Sequence, residues 1–242
     1  MFYCFKNSLN FVINLSQMSN IAIKEELLQL SDLQQLIGEL QTSLNDEHRR
    51  RLAFYEWAEA DQKVEFINGV IIENSPAADE HTDAVGHLHG LSMYQTNFEG
   101  TGKVKSKKAM VSLTRNDYEP DVAFWRKEIA DTFELEQTHY PAPDWICEVL
   151  SKGTASRDKG VKFRDYAAHG VKEYWIVDPR KQTVEQYILT EKNSAEYELL
   201  KKVSVGDYIE SIVMTGFKIP VAAIFDAEIN KATLKNLLSK FL

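Results

Sequence analysis

The chain has 242 residues, 44% hydrophobic and 26% charged, and 36 acidic against 28 basic side chains give it a formal charge of −8. That is apolar material for one sizeable core and little more. The acidic balance excludes a protein that coats nucleic acid by charge alone, because non-specific affinity comes from Lys and Arg neutralising phosphates, although a local basic patch and a bound cation stay compatible with it.

Cys4 and Cys147 are too few for a disulfide framework, which predicts a reducing, cytoplasmic setting. Lys6, Asn7, Asn10, Asn14 and Gln17 interrupt the apolar N-terminus before it reaches the roughly 18 residues of a membrane span, so no membrane partner is expected. Residues 1–17 read as an upstream-start extension ahead of Met18.

From Ile21 to Leu44 the apolar positions Ile23, Leu27, Leu30, Leu33, Leu36, Ile37 and Leu40 recur at helical spacing. This amphipathic helix is suited to docking on the domain or pairing with a second copy, and a homo-oligomer, most simply a dimer, is the expectation. A second helix is predicted from Asp46 to Ala60 with Asn45 as its cap. Val64 to Glu73 reads as two strands about Asn68-Gly69, a dipeptide suited to a two-residue hairpin turn.

After Pro76 a helix places His81, Val85, Leu88 and Ser92 on one inward face, and Lys108–Leu113 follows as a strand. Asp121–Trp125, Asp144–Leu150 and Glu173–Val177 read as mostly buried strands. A helix from Arg157 to His169, capped by Thr154 or Ser156 and stopped by Gly170, links the last two as parallel neighbours. Thr183–Leu189 and Tyr197–Val203 read as peripheral antiparallel strands, and Asp226–Leu242 as a closing helix.

Glu148 is the most informative residue. It stands inside Trp-Ile-Cys-Glu-Val-Leu, where an unpaired carboxylate would cost several kcal/mol. Alternation puts Ile146, Glu148 and Leu150 on one face and Trp145, Cys147 and Val149 on the other. Its partner must be a lysine, a hydrogen-bond donor or a metal ion. Asp121 opens another apolar strand directly after a proline, and two carboxylates converging at a sheet end repel unless a cation joins them. Oxygen ligands suit Mg²⁺ or Mn²⁺, leaving places for water and a substrate phosphate.

Pro120-Asp121-Val122-Ala123-Phe124-Trp125, Pro143-Asp144-Trp-Ile-Cys-Glu148-Val-Leu-Ser151, Asp158-Lys-Gly-Val-Lys162-Phe-Arg-Asp-Tyr166-Ala and Gly170-Val-Lys-Glu-Tyr-Trp-Ile-Val-Asp178-Pro179 together resemble the Uma-type putative restriction endonucleases, within the PD-(D/E)XK nuclease superfamily. The likeness extends over about residues 50–226, through Val64–Gly69 and Ser75-Pro76…His81 upstream and Gly216-Phe217 downstream. It implies an α/β restriction-endonuclease-like core, a mixed β-sheet flanked by helices, here with an N-terminal helical extension. The expected organisation is an extension over residues 1–45, the nuclease-like domain over 46–228 and a closing helix over 229–242.

The resemblance implies metal-dependent hydrolysis of DNA, with Asp121, Glu148 and the Val149 carbonyl holding Mg²⁺ or Mn²⁺. The superfamily's strand lysine would fall at Leu150 and is absent, so the catalytic lysine is carried to Lys162, with Lys152 as the fallback. A lysine there would orient the attacking water or stabilise charge developing at phosphorus. Glu65, His81 and Asp158 are supporting candidates, and Lys103, Lys105, Lys107, Lys108 and Lys152 are candidate phosphate contacts. A nuclease fold that binds nucleic acid or assembles without turnover is the alternative.

Overall fold

A computed structural model of the chain describes residues 20–58, 63–190 and 193–239. The expected extension over residues 1–17, with Cys4 and Met18, lies outside them, as do Ala60 and the last three residues of the closing helix. Two compact units are present, Met1–Ala53 and Phe54–Leu242.

In the first unit α1 (Asn20–Leu28) is followed by α2 (Leu33–Trp57), whose last turn belongs to the second unit. The predicted break falls elsewhere than expected. The helix stops at Leu30-Ser31-Asp32 rather than near Asn45, because Ser and Asp side chains compete for backbone groups and favour turns. Asn45 is no cap: it accepts from Gln41 Nε2 at 3.1 Å inside the helix, one of several pairs four residues apart that sustain it. Ile37, Leu40 and Leu44 are about half exposed within this unit.

The second unit opens with β1 (Val64–Ile67) and β2 (Val70–Glu73), joined as predicted at Asn68-Gly69, both with positive φ. Next come α3 (Asp79–Glu99), β3 (Gly102–Ser106), β4 (Met110–Ser112), β5 (Asp117–Tyr118), β6 (Val122–Arg126), α4 (Lys127–Ala130), β7 (His139–Tyr140) and β8 (Trp145–Val149). The strand expected from Lys108 begins only at Met110, since Lys107 and Lys108 adopt left-handed φ of 46° and 53° and form the turn before it.

One helix was expected after β8; two short ones form, α5 (Ala155–Asp158) and α6 (Val161–Ala168). The break is at Gly160, where a Cβ would stand 2.5 Å from Ser156 O. Thr154 makes no side-chain cap either: its Oγ1 lies 3.0 Å from Ser151 Oγ instead. Gly170 ends the segment with φ of 77°. The chain closes with β9 (Glu173–Asp178), β10 (Thr183–Thr190), β11 (Asn193–Ser204), β12 (Tyr208–Glu210), β13 (Lys218–Pro220), α7 (Ala222–Phe225) and α8 (Ala227–Leu238), the last capped by the Asp226 carboxylate on Ile229 N–H.

Six strands make a mixed sheet in the order β11-β10-β9-β8-β6-β3, with β8 and β9 parallel, as expected, and the other neighbours antiparallel. A five-stranded sheet runs β2-β1-β5-β4-β7, and β12 pairs with β13. Strand alternation divides the interior. Trp145, Cys147 and Val149 pack with Trp175 and with Val85, Leu88 and Leu91 of α3, whereas Ile146 and Ile176 pack with Tyr118, Tyr166 and Tyr174 on the other face. Burying each such side chain contributes ~1.5–3 kcal/mol before ordering costs.

Glu173 is fully buried at the start of β9. It accepts from Trp175 Nε1, Gln186 Nε2, Ser211 Oγ and the N–H groups of Ile212 and Val213, all within 3.1 Å, which ties the 211–213 turn to the sheet. Among the described residues no helix is long and apolar enough to cross a membrane.

Candidate active site

Val122 pairs with Cys147 across β6 and β8, and the same register carries Asp121 opposite Glu148. Both carboxylates therefore project on the tyrosine-lined face, as alternation predicted for Glu148. They meet through the backbone: Asp121 N–H lies 3.3 Å from Glu148 Oε2, and Val149 N–H donates to Asp121 Oδ2 at 2.9 Å. Leu150 N–H turns the other way, to Val177 O at 2.8 Å. The backbone polar groups of Val149 thus point to the β6 side of the strand, where Asp121 stands.

Lys162, on the first turn of α6, joins the remaining acids. Its Nζ is 2.8 Å from Glu65 Oε1, 2.9 Å from Glu148 Oε1 and 3.4 Å from Asp158 Oδ1, and it lies over the Tyr118 ring at 5.7 Å. Tyr166 OH, one turn further along α6, donates to Glu148 Oε1 at 3.1 Å. Asp121 Oδ1 receives Lys63 Nζ at 2.9 Å and has His81 Nε2 at 3.5 Å. Glu65 Oε1 in turn accepts the Glu119 N–H at 3.1 Å.

Burial of this density sets the charge states. Burial drives the Glu148 carboxyl up to about 8, with Asp158 and Asp121 adding to the rise and Lys162 and Lys63 opposing it. Asp121 is also buried, yet His81, Lys63 and the Val149 N–H outweigh desolvation and hold it well below the usual carboxylate range. Lys162 is held well above its ordinary value: burial alone would lower it, but Glu148, Glu65 and Asp158 share its charge. One ammonium divided among three acids keeps its own proton firmly and gives each acid only part of a counter-charge.

Asp121, Glu148, Lys162, Glu65, His81 and Asp158 thus fall together. Of the five basic candidates only Lys108 bears on the cluster, through its charge on Glu119. Lys103 and Lys105 lie on β3 at the sheet edge, their ammonium groups 5.8 Å from the Phe133 ring centroid and 4.7 Å from that of Tyr140. Lys107 and Lys108 occupy the turn after it, and Lys152 is an exposed turn residue. Sequence reading missed Lys63, Glu119 and Tyr166. Lys63 and Glu65 are two apart at the start of a strand, a spacing that puts both on one face and was legible in principle; Tyr166 is fully buried, and a buried aromatic carries no sequence signal that separates a hydrogen-bonding role from packing.

The donor set suits a hard divalent cation. Glu65, Glu119, Asp121, Glu148 and Asp158 are all buried, against two ammonium groups, Lys63 and Lys162. Glu65 Oε2, Glu119 Oε2 and both Asp158 oxygens are buried without a hydrogen-bond partner, a surplus of acceptors that a cation would satisfy. Among the described residues no three His, Cys, Asp or Glu side chains form a ready-made metal cage. A cavity of about 520 Å³ beside β12, β13 and α8, lined by residues such as Asp207, Tyr208, Glu228 and Asn236, contains none of these side chains.

A family model described as Uma2, putative restriction endonuclease, matches residues 51–222. Among solved structures, the chain is similar to a putative nuclease belonging to DUF820 from Anabaena variabilis, at 17% identity and a TM-score of 0.61, covering 75% of this chain and 96% of that one. That likeness shows a shared nuclease-like fold, a mixed α/β architecture of sheets flanked by helices. No curated protein matches the chain.

Proposed function

The chain belongs to the Uma2 family of putative restriction endonucleases, and from that premise we propose that it is a divalent-cation-dependent endonuclease acting on DNA phosphodiester bonds. The observation that carries the reading is the convergence of Asp121 and Glu148, from two strands, in a buried cluster with more carboxylates than cations. Asp121, Glu148 and the Val149 carbonyl would hold Mg²⁺ or Mn²⁺. Bound there, the ion would supply Lewis-acid activation of water and neutralisation of the phosphate.

The chain's own residues set up that chemistry. Val149 N–H fixes the Asp121 carboxylate, and Lys162 and Tyr166 fix Glu148 Oε1, which leaves Oε2 on the Asp121 side. His81 holds negative charge on Asp121 from the α3 side. Positioned groups of this kind act without reorganising as charge develops at phosphorus.

Plasmid nicking with Mg²⁺ or Mn²⁺ tests the proposal. Glu148→Ala is expected to lose cleavage by at least about a hundredfold, and wild-type rates from that variant would end the reading. A second reading, a nuclease-fold module that binds nucleic acid without turnover, draws support from the closure of Lys162, whose side chain is 3% exposed. DNA binding in EDTA with no nicking under any divalent metal would select it.

A further inference from the structure

Two lysines meet the paired carboxylates, and they differ in what else they can reach. Lys162 is shut in. Its Nζ lies within 3.4 Å of three carboxylate oxygens, and the Tyr118 ring centroid is 5.7 Å away. With its side chain 3% exposed and three acids around it, it is not open to a substrate. Lys63 makes one such contact, to Asp121 Oδ1 at 2.9 Å, and its side chain is 30% exposed, against 8% for His81, 4% for Asp121, 2% for Glu148 and 1% for Glu65. Among the described residues it is the one cation that touches the acid pair and faces solvent.

Its backbone is fixed by the β1–β2 ladder. Lys63 O accepts the Asn74 N–H at 3.1 Å, extending the β1–β2 ladder by one step and placing the side chain on the same strand face as Glu65. Lys63 meets Asp121 Oδ1 and Lys162 meets Glu148 Oε1, so the two ammonium groups take different acids of the pair.

We propose that Lys63 is the lysine that contacts the scissile phosphate, and that Lys162 is a positioning residue which holds Glu148 and Glu65. The assignment rests on the endonuclease reading above. A cation between Asp121 and Glu148 would take over the neutralisation of Asp121, leaving the Lys63 ammonium to an incoming phosphate oxygen at the solvent-facing side of the site. It also explains how the chain can do without a lysine at Leu150: the phosphate-binding charge comes from the residue just before β1, the first strand of the hairpin.

The test measures binding of a fluorescein-labelled DNA duplex by anisotropy across a KCl series, with Ca²⁺ added to occupy the site, beside plasmid nicking in Mg²⁺. Each phosphate contact contributes about 0.9 to the slope of log affinity against log salt. Lys63→Gln is expected to lower that slope by about one and to slow nicking by a hundredfold or more, Lys63→Arg to restore the slope, and Lys162→Gln to leave it unchanged. A wild-type slope for Lys63→Gln, in protein whose wild type binds and nicks DNA, overturns the assignment alone. A wild type that neither binds nor nicks DNA overturns the endonuclease reading and this assignment with it.

Discussion

Replacing Lys162 by Met keeps much of the apolar stem and removes the ammonium that Glu65, Glu148 and Asp158 share at 2.8, 2.9 and 3.4 Å. Removing one partner of a buried ion pair costs about 3–5 kcal/mol, because the remaining charge stays desolvated. For a domain of this size the melting temperature should fall by on the order of 10 °C. The deficit should depend on pH. Glu148 titrates at about 8 in the folded chain, above its ordinary 4.5, so its contribution to stability is complete below 4.5 and is lost as pH rises through 8. In the variant the opposing ammonium is gone, the carboxyl is pushed higher still, and the loss continues beyond pH 8. Urea denaturation in EDTA, followed by fluorescence of the buried Trp125, Trp145 and Trp175, should therefore show a larger gap between wild type and variant at pH 9 than at pH 6. Equal midpoints at pH 9, or a gap that widens toward pH 6, would refute the account of Lys162 as a shared counter-ion.

Glu173→Ala should destabilise by about 3–5 kcal/mol, since it orphans the donors gathered on that carboxylate, and hydrogen exchange at the Ile212 and Val213 amides should accelerate with it; unchanged protection of those amides would contradict the clamp. Glu119 is raised to about 7, chiefly by burial with a contribution from Glu65, against Lys108 and Lys63. Its protonation favours the fold fully below pH 4.5 and that benefit disappears as pH rises through 7. Gln cannot ionise, so Glu119→Gln should gain on wild type across this window by up to about 3 kcal/mol, each pH unit being worth about 1.4 kcal/mol. Denaturation midpoints at pH 4.5 and 8 measure it, and a constant difference between the two proteins would count against a buried, titrating Glu119.

What was legible in the sequence followed from periodicity and from local conflict. A carboxylate in an apolar strand announced Glu148, the Asn68-Gly69 turn fixed the first hairpin, and the spacing from His81 to Ser92 gave the buried face of α3, all of which depend on neighbours a few residues away. The short elements were not legible. The two-residue strands β5 and β7 exist through pairing with distant partners, and Phe66 opposite Asp117 leaves no local trace. Lys63 and Glu119 reach the site for the same reason: each flanks a readable motif, but only long-range contact brings them in, Glu119 to Glu65 through the pairing of β1 with β5 and Lys63 to Asp121 across 58 positions of sequence. Gly160 marked a break that the helical pattern concealed, since a single close approach to Ser156 O decides it.

The strict alternation along β8 has a consequence for how this chain can change over time. Its two faces differ, acid on one and buried hydrocarbon and thiol on the other, so a substitution on the Cys147 face does not change which residues share the acid face. A change of length does not. One residue inserted or deleted between Pro143 and Leu150 would exchange the faces, sending a carboxylate into the packing around Trp175 and presenting a valine or a thiol to Lys162. Drift in composition and intolerance of indels should therefore coexist in the same short stretch, and a library of single-residue insertions along it should yield folded protein only outside the strand.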